Sequence, residues 1–203
     1  MKRLIGFCLA ALVLVSCTAI QAEKDNRAEP SNKEKAIALL NSLESGDREP
    51  VGYINSEKYI QHNLAVGDGL SGFGELMKQV PKNSIKVNVI RAFEDGDYVF
   101  THTDYNFFGP KAGFDIFRFE NGKIVEHWDN LAEKAQAPNP AGRTQFDGPV
   151  RAEDLDKTEA NKALIKAFVE TILINGEYSK LGSYFDGDKY HQHNTAIGDG
   201  VSG

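Results

Sequence analysis

Apolar and polar positions along this chain follow two different periods, and the change falls at Pro81. Before it, Ala36, Ile37, Leu40 and Leu43 recur at helical spacing behind Ser31-Asn-Lys-Glu34, a capping box, and Gly46 stops the run. Pro50 opens a predicted second short helix through Ile60, and a third is predicted over Ser71–Val80, closed by Pro81. Between them, Gln61 to Gly69 reads as a loop. After Pro81 the period drops to two, so Ile85–Phe93, Tyr98–Phe108, Gly113–Glu120 and Lys123–Leu131 are predicted strands. Glu94-Asp-Gly-Asp97, Gly109-Pro-Lys-Ala112 and Asn121-Gly122 are the turns that join them. Helices followed by an antiparallel meander make an α+β domain.

The chain also resembles itself. Tyr59–Gly72 recurs as Tyr190–Gly203, with 10 of 14 positions identical at an offset of 131. An offset of one domain length reads as tandem duplication rather than a short solenoid repeat. The second repeat opens as the first does: Asp156-Lys-Thr-Glu159 is a capping box for a helix carrying Leu164, Ala167, Phe168, Thr171 and Ile172, which ends at Asn175-Gly176. Only this helical start of the second copy is present, so the expectation is a truncated sequence or a partial domain whose helices cover another surface.

Residues 1–22 carry a basic start at Lys2 and Arg3, an apolar run from Leu4 to Val15, and then small residues. The run is shorter than the roughly 20 apolar residues a spanning helix needs, and reads as a secretory leader. Leu14-Val15-Ser16-Cys17 resembles a bacterial lipoprotein cleavage box with Cys17 as the lipidated residue; the alternative is ordinary cleavage after Ala22. The expected organisation is a leader over 1–22, a polar linker over 23–30, a complete domain over 31–150 and a partial second copy over 156–203. Such a protein is exported to the periplasm or cell envelope and touches the membrane only through its lipid anchor. Both cysteines lie in the leader, which leaves the folded body without a disulfide, a thiol nucleophile or a thiolate metal site.

Of the 203 residues, 41% are hydrophobic and 26% charged, enough for a real core, and the net charge is −6. With no cluster of Lys and Arg, nucleic acid is not an expected partner. A glycine-rich phosphate loop and a Gly-x-Ser-x-Gly elbow are both missing, which disfavours nucleotide binding and serine hydrolysis.

Three helices followed by a sheet ending in Asp115-Ile-Phe-Arg-Phe-Glu-Asn-Gly-Lys-Ile-Val-Glu-His-Trp-Asp129 resemble the SnoaL-like (polyketide cyclase-like) branch of the nuclear transport factor 2-like superfamily. The Tyr59-Ile-Gln-His-Asn63 segment and the Pro138-Asn-Pro140 tail are also similar to SnoaL-like proteins described as aldol-condensation enzymes. The resemblance covers about 32–150, and 158–203 for the helical part. It implies a cone-shaped barrel, three helices packed on a curved antiparallel sheet around a pocket. It also implies cofactor-free acid–base chemistry in some members and no catalysis in others. In SnoaL-like cyclases the acid–base aspartate lies on a late strand, and Asp115 best matches that position.

The last hairpin decides which side chains meet, because a one-residue slip exchanges faces. A two-residue Asn121-Gly122 turn pairs Asp115 with Trp128, whereas a three-residue loop pairs it with His127. The second register is preferred here. It gathers Asp115, Phe117, Phe119, Val125 and His127 on one face and turns Arg118 and Glu126 toward water. Asp115, desolvated by Phe117 and Phe119, is then the expected base, able to take a proton from a carbon beside a carbonyl. His127 is its expected partner or proton shuttle, and His62 the group facing the substrate oxygen. A wet cross-strand ion pair is the competing reading of Asp115 and His127.

His102, Phe117, Phe119 and Trp128 are the expected substrate-binding residues, and the ligand is a small apolar carbonyl compound. In the preferred register Trp128 shares the opposite face with Phe114 and Ile116, which suits a homodimer through the sheet; in the two-residue-turn register it lines the pocket instead. Histidines 62, 102 and 127 with Asp115 are a familiar metal-ligand set, but none forms a local i, i+2 or i, i+4 pair, and neither metal nor cofactor is expected.

Overall fold

Side chains of the fourth long segment alternate cleanly, with 113, 115, 117 and 119 buried and 114 and 116 exposed, so one face of the sheet is dry and the other wet. The computed structural model describes residues 29–81 and 83–203; the leader, Cys17 and residues 23–28 of the linker lie outside the described residues. Helix α1 spans Asn32–Ser45, a 3-10 turn Glu49–Tyr53, strand β1 Ile60–Gln61 and helix α2 Gly69–Gln79. Strands β2 (Lys86–Asp95), β3 (Tyr98–Asn106), β4 (Pro110–Glu120) and β5 (Lys123–Glu133) follow. The sheet order is β1-β5-β4-β3-β2. It is therefore mixed rather than purely antiparallel, because β1 runs parallel to β5 while the other pairs are antiparallel.

Ala36, Leu39 and Leu40 of α1 pack on Tyr59, Val99, Tyr105, Phe117, Phe119 and Ile124 to form the core. The expected second helix stops after one 3-10 turn. Pro50 starts it, but Asn55 Oδ1 then accepts the backbone N–H groups of Glu57 and Lys58, a local arrangement that competes with helical bonding. Ile54 instead bridges to Ile124 of β5 and leads the chain into β1.

The β4–β5 register differs from both alternatives read from the sequence. Asn121 (φ 49°) and Gly122 (φ 71°) form a two-residue turn with both central residues left-handed, pairing Glu120 with Lys123 and Phe119 with Ile124. A bulge follows, so Arg118 pairs with Glu126 and Val125 is left without a partner. Ile124 and Val125 are both fully buried, which is the packing that favours the extra residue. Asp115 consequently pairs with Asp129 and Phe117 with His127.

Beyond β5 the chain folds back across the outer, wet face of the sheet. Arg91 donates to the carbonyl oxygens of Phe146, Asp147 and Pro149, and Phe146 stacks on His102 at 5.3 Å between ring centroids. A 3-10 turn, Leu155–Lys157, leads into α3, Thr158–Phe168, which continues as a π-helix over Val169–Ile174. Asp156 thus sits inside the opening turn instead of capping the helix.

The Tyr190–Gly203 segment docks on the tail. Asn139 Nδ2 donates to the carbonyls of Gln192, Asn194 and Ile197, while Arg143 grips Asp199 through Nε and Nη2. The segment also repeats the internal bonds of Tyr59–Gly72. Gln61 N–H donates to Asp68 and Gln192 N–H to Asp199; Gly69 N–H donates to Tyr59 O and Gly200 N–H to Tyr190 O. Gly69 and Gly200 are left-handed, whereas Gly67 is not. Among the described residues no helix is long and apolar enough to cross a membrane.

Asn139 is buried and carries three of these contacts, so Asn139→Ala should raise amide exchange across 190–200 about tenfold, roughly the 1.4 kcal/mol of one lost buried hydrogen-bonding group. Unchanged exchange there would show that the tail does not hold the segment. His102 is buried, with Arg91 Nη1 donating to its Nδ1, and burial first and the Arg91 charge second push its pKa down to about 4. The unfolded chain therefore takes up a proton there before the folded one does. Stability should be whole above about pH 6.5 and fall by up to about 3 kcal/mol toward pH 4, as read from denaturant midpoints. His102→Leu should flatten that part of the profile.

Candidate active site

Two carboxylates reach the dry face of the sheet as cross-strand partners, Asp115 from β4 and Asp129 from β5. Asp115 is 3% exposed and surrounded by donors. Thr101 Oγ1 and Tyr105 Oη donate to its Oδ2 at 3.0 and 2.9 Å, and His127 Nε2 lies 3.3 Å from Oδ1. Thr101 is directly opposite Asp115 on β3, and Tyr105 arrives diagonally because its ring lies flat over Gly113. A Cβ at position 113 would stand 2.5 Å from that ring, so only glycine lets the phenol reach the carboxylate.

The His127 ring stacks on Phe117 at 4.6 Å, which holds its plane. Gln61, its partner across the parallel β1–β5 pair, lies 3.0 Å from Nδ1. Asn63 Nδ2 donates to both oxygens of Asp129. Tyr59 is buried beside them, and its phenol is pushed well above the usual range by burial first and by the Asp129 and Asp115 charges second. Burial, with Asp115 next, does the same to Tyr105.

Tyr59, Gln61, Asn63, Tyr105, Asp115, His127 and Asp129 line a cavity of about 240 Å³ together with Lys111, and most of its remaining wall is apolar: Leu39 and Leu43 of α1, Phe73 and Met77 of α2, and Phe107 and Leu131 from the sheet side. A mostly apolar hollow with a few convergent polar groups is the usual form of a small-molecule site.

The structure brings Asp115, His127 and Phe117 together at this cavity; Phe119 packs in the core nearby without lining it. His62 does not join them. Because β1 pairs with β5, alternation turns Gln61 inward and His62 outward, where its ring stacks on Trp128 (4.7 Å, 3°) and bonds Glu126 at 2.8 Å. Trp128 and His102 are likewise on the outer face, one position out of phase with the inward residues of their strands, and neither lines the cavity. Glu126 also pairs with Arg118, so the charged side of the hairpin does face outward.

Sequence reasoning missed Tyr59, Gln61, Asn63, Thr101, Tyr105 and Asp129. Gln61 and Asn63 stand in the repeated Gln-His-Asn, where a strand of only two residues gives no alternation to show that Gln61 rather than His62 points inward. Thr101 and Tyr105 were signalled by period two along β3, out of phase with His102.

Among the described residues, Asp115, His127 and Asp129 are the group able to share a cation, with one ligand atom from each lying within 4.8 Å of the others. The 3.3 Å between Asp115 Oδ1 and His127 Nε2 suits two ligands of one small ion, and each Asp129 oxygen keeps a lone pair beside the one that accepts from Asn63. The three-histidine set is not assembled, since His62 and His102 face the other way.

No family model and no curated protein matches this chain. Solved structures do. An NTF2-like protein of unknown function from Cytophaga hutchinsonii is similar with a TM-score of 0.45 and 16% identity, over 52% of this chain and 94% of that one. An NTF-2 like protein of unknown function from Burkholderia xenovorans gives 0.43 and 21%, over 53% and 87%. An M. tuberculosis LEH-like epoxide hydrolase gives 0.42 and 18%, over 50% and 82%.

Proposed function

We propose that the chain binds a small apolar carbonyl compound in the 240 Å³ cavity and enolises it without a cofactor, as in an isomerisation or aldol-type ring closure, with Asp115 as the base. The observation that carries this reading is a carboxylate buried to 3% exposure yet lining an apolar hollow. An ionised carboxylate offers about four lone-pair sites. Thr101, Tyr105 and His127 take three, which leaves one directed acceptor for a substrate proton. The carbon–hydrogen bond breaks, the proton goes to Asp115, and the electron pair moves onto the carbonyl oxygen as an enolate. Tyr59 is the donor for that oxygen: its phenol lines the cavity and its raised pKa keeps it protonated, replacing His62 in the role expected from sequence. With its leader and lipoprotein-type Cys17, the protein works in the cell envelope on a lipid tether.

Non-catalytic ligand binding is the second reading, favoured by the hydrogen bonds that already occupy Asp115. The two separate cleanly. Wild-type protein should exchange deuterium into the carbon next to the carbonyl of small apolar ketones, and Asp115→Asn should lower that rate about 10²–10⁴-fold while still binding them. Binding without exchange in the wild type would leave only the second reading.

Tyr59 and Tyr105 should both remain protonated at pH 11. Difference absorbance between the wild type and the Tyr59→Phe/Tyr105→Phe variant should show no extra phenolate until the protein unfolds. Since folding raises both pKa values, their contribution to stability is complete below about pH 10 and shrinks above it.

A further inference from the structure

The two Gln-His-Asn segments orient their glutamine in the same way against different neighbours. Asn63 N–H donates to Gln61 Oε1 at 3.0 Å, and Asn194 N–H donates to Gln192 Oε1 at 2.8 Å. Gln192 does so beside the Asn139 tail, while Gln61 does so beside His127, so the loop backbone rather than the histidine sets the carboxamide. With its oxygen committed to Asn63, Gln61 turns its amide nitrogen toward two groups, His127 Nδ1 at 3.0 Å and Tyr59 Oη at 3.3 Å.

An amide nitrogen only donates. In a neutral ring Nδ1 is then the bare acceptor, and the ring proton sits on Nε2, the nitrogen 3.3 Å from Asp115 Oδ1. In the opposite arrangement, with Nδ1–H pointing to Gln61 Oε1 at 3.2 Å, a bare Nε2 would face a carboxylate oxygen, acceptor against acceptor.

We propose that Gln61 is a positioning residue that fixes His127 as its Nε2–H tautomer. His127 is thereby a hydrogen-bond donor that steadies the Asp115 carboxylate and is not itself the base. The second Gln61 N–H goes to Tyr59 Oη, leaving the Tyr59 proton free for a ligand oxygen. For the neutral ring the tautomer follows from the hydrogen bonds alone; its catalytic consequence rests on the proposed role of Asp115.

The test is long-range ¹H–¹⁵N correlation of the histidine rings in the full chain at neutral pH, with the His127 signals assigned by their loss in His127→Gln. The expected pattern is one protonated nitrogen, Nε2, and a bare Nδ1. Gln61→Glu removes the donor and supplies an acceptor, so Nδ1 should gain a proton, whereas Gln61→Leu leaves Asp115 facing Nε2 and should keep the proton there. Wild-type protein with a protonated Nδ1 overturns the proposal, as does an unchanged ring pattern in Gln61→Glu. Turnover by Asp115→Asn would overturn the enzymatic reading and leave this assignment standing.

Discussion

One residue without a partner, Val125, sets the chemistry of the cavity. The bulge it makes displaces β5 against β4 so that Asp115, Phe117, His127 and Asp129 share the dry face, while Arg118, Glu126 and Trp128 share the wet one. Were Val125 instead paired in a regular ladder, Phe117 would face Glu126 and Asp115 would face Trp128, which would turn His127 and Asp129 outward. The same displacement lets β1 reach β5 with Gln61 beside His127.

On that face the polar groups are arranged to satisfy one another. Thr101, Tyr105 and His127 bond Asp115; Asn63 bonds Asp129; Gln61 links Tyr59 and His127. Leaving any one of them buried without a partner would cost about 1–3 kcal/mol. Such a network holds its members rigidly and presents a ligand with fixed donors and acceptors. Gly113 belongs to it by having no side chain, since the Tyr105 ring occupies the space.

Much of the architecture was readable in advance because it is local. The change of period at Pro81, the first helix and the Asn121-Gly122 turn each need only near neighbours. The face shared by Asp115 and His127 was also readable, even though both expected pairings were wrong. The preferred register pairs Asp115 with His127 and the structure pairs it with Asp129, a slip of two that restores the same face. What could not be read depends on distant contacts. A two-residue parallel strand has no pattern of its own, so nothing near His62 signals that its neighbour Gln61 points inward. The tail over His102 is a contact across 44 residues, from position 102 to position 146, and it turned an expected pocket residue into a buried outer one.

The central claim is that a dry carboxylate beside an imidazole receives the carbon next to a carbonyl. A crystal structure of the full chain with a small apolar ketone tests it most directly. The account predicts the ketone oxygen within hydrogen-bond reach of Tyr59 and its neighbouring carbon over Asp115. A ketone bound elsewhere, or an Asp115 carboxyl turned into solvent away from His127, would contradict it.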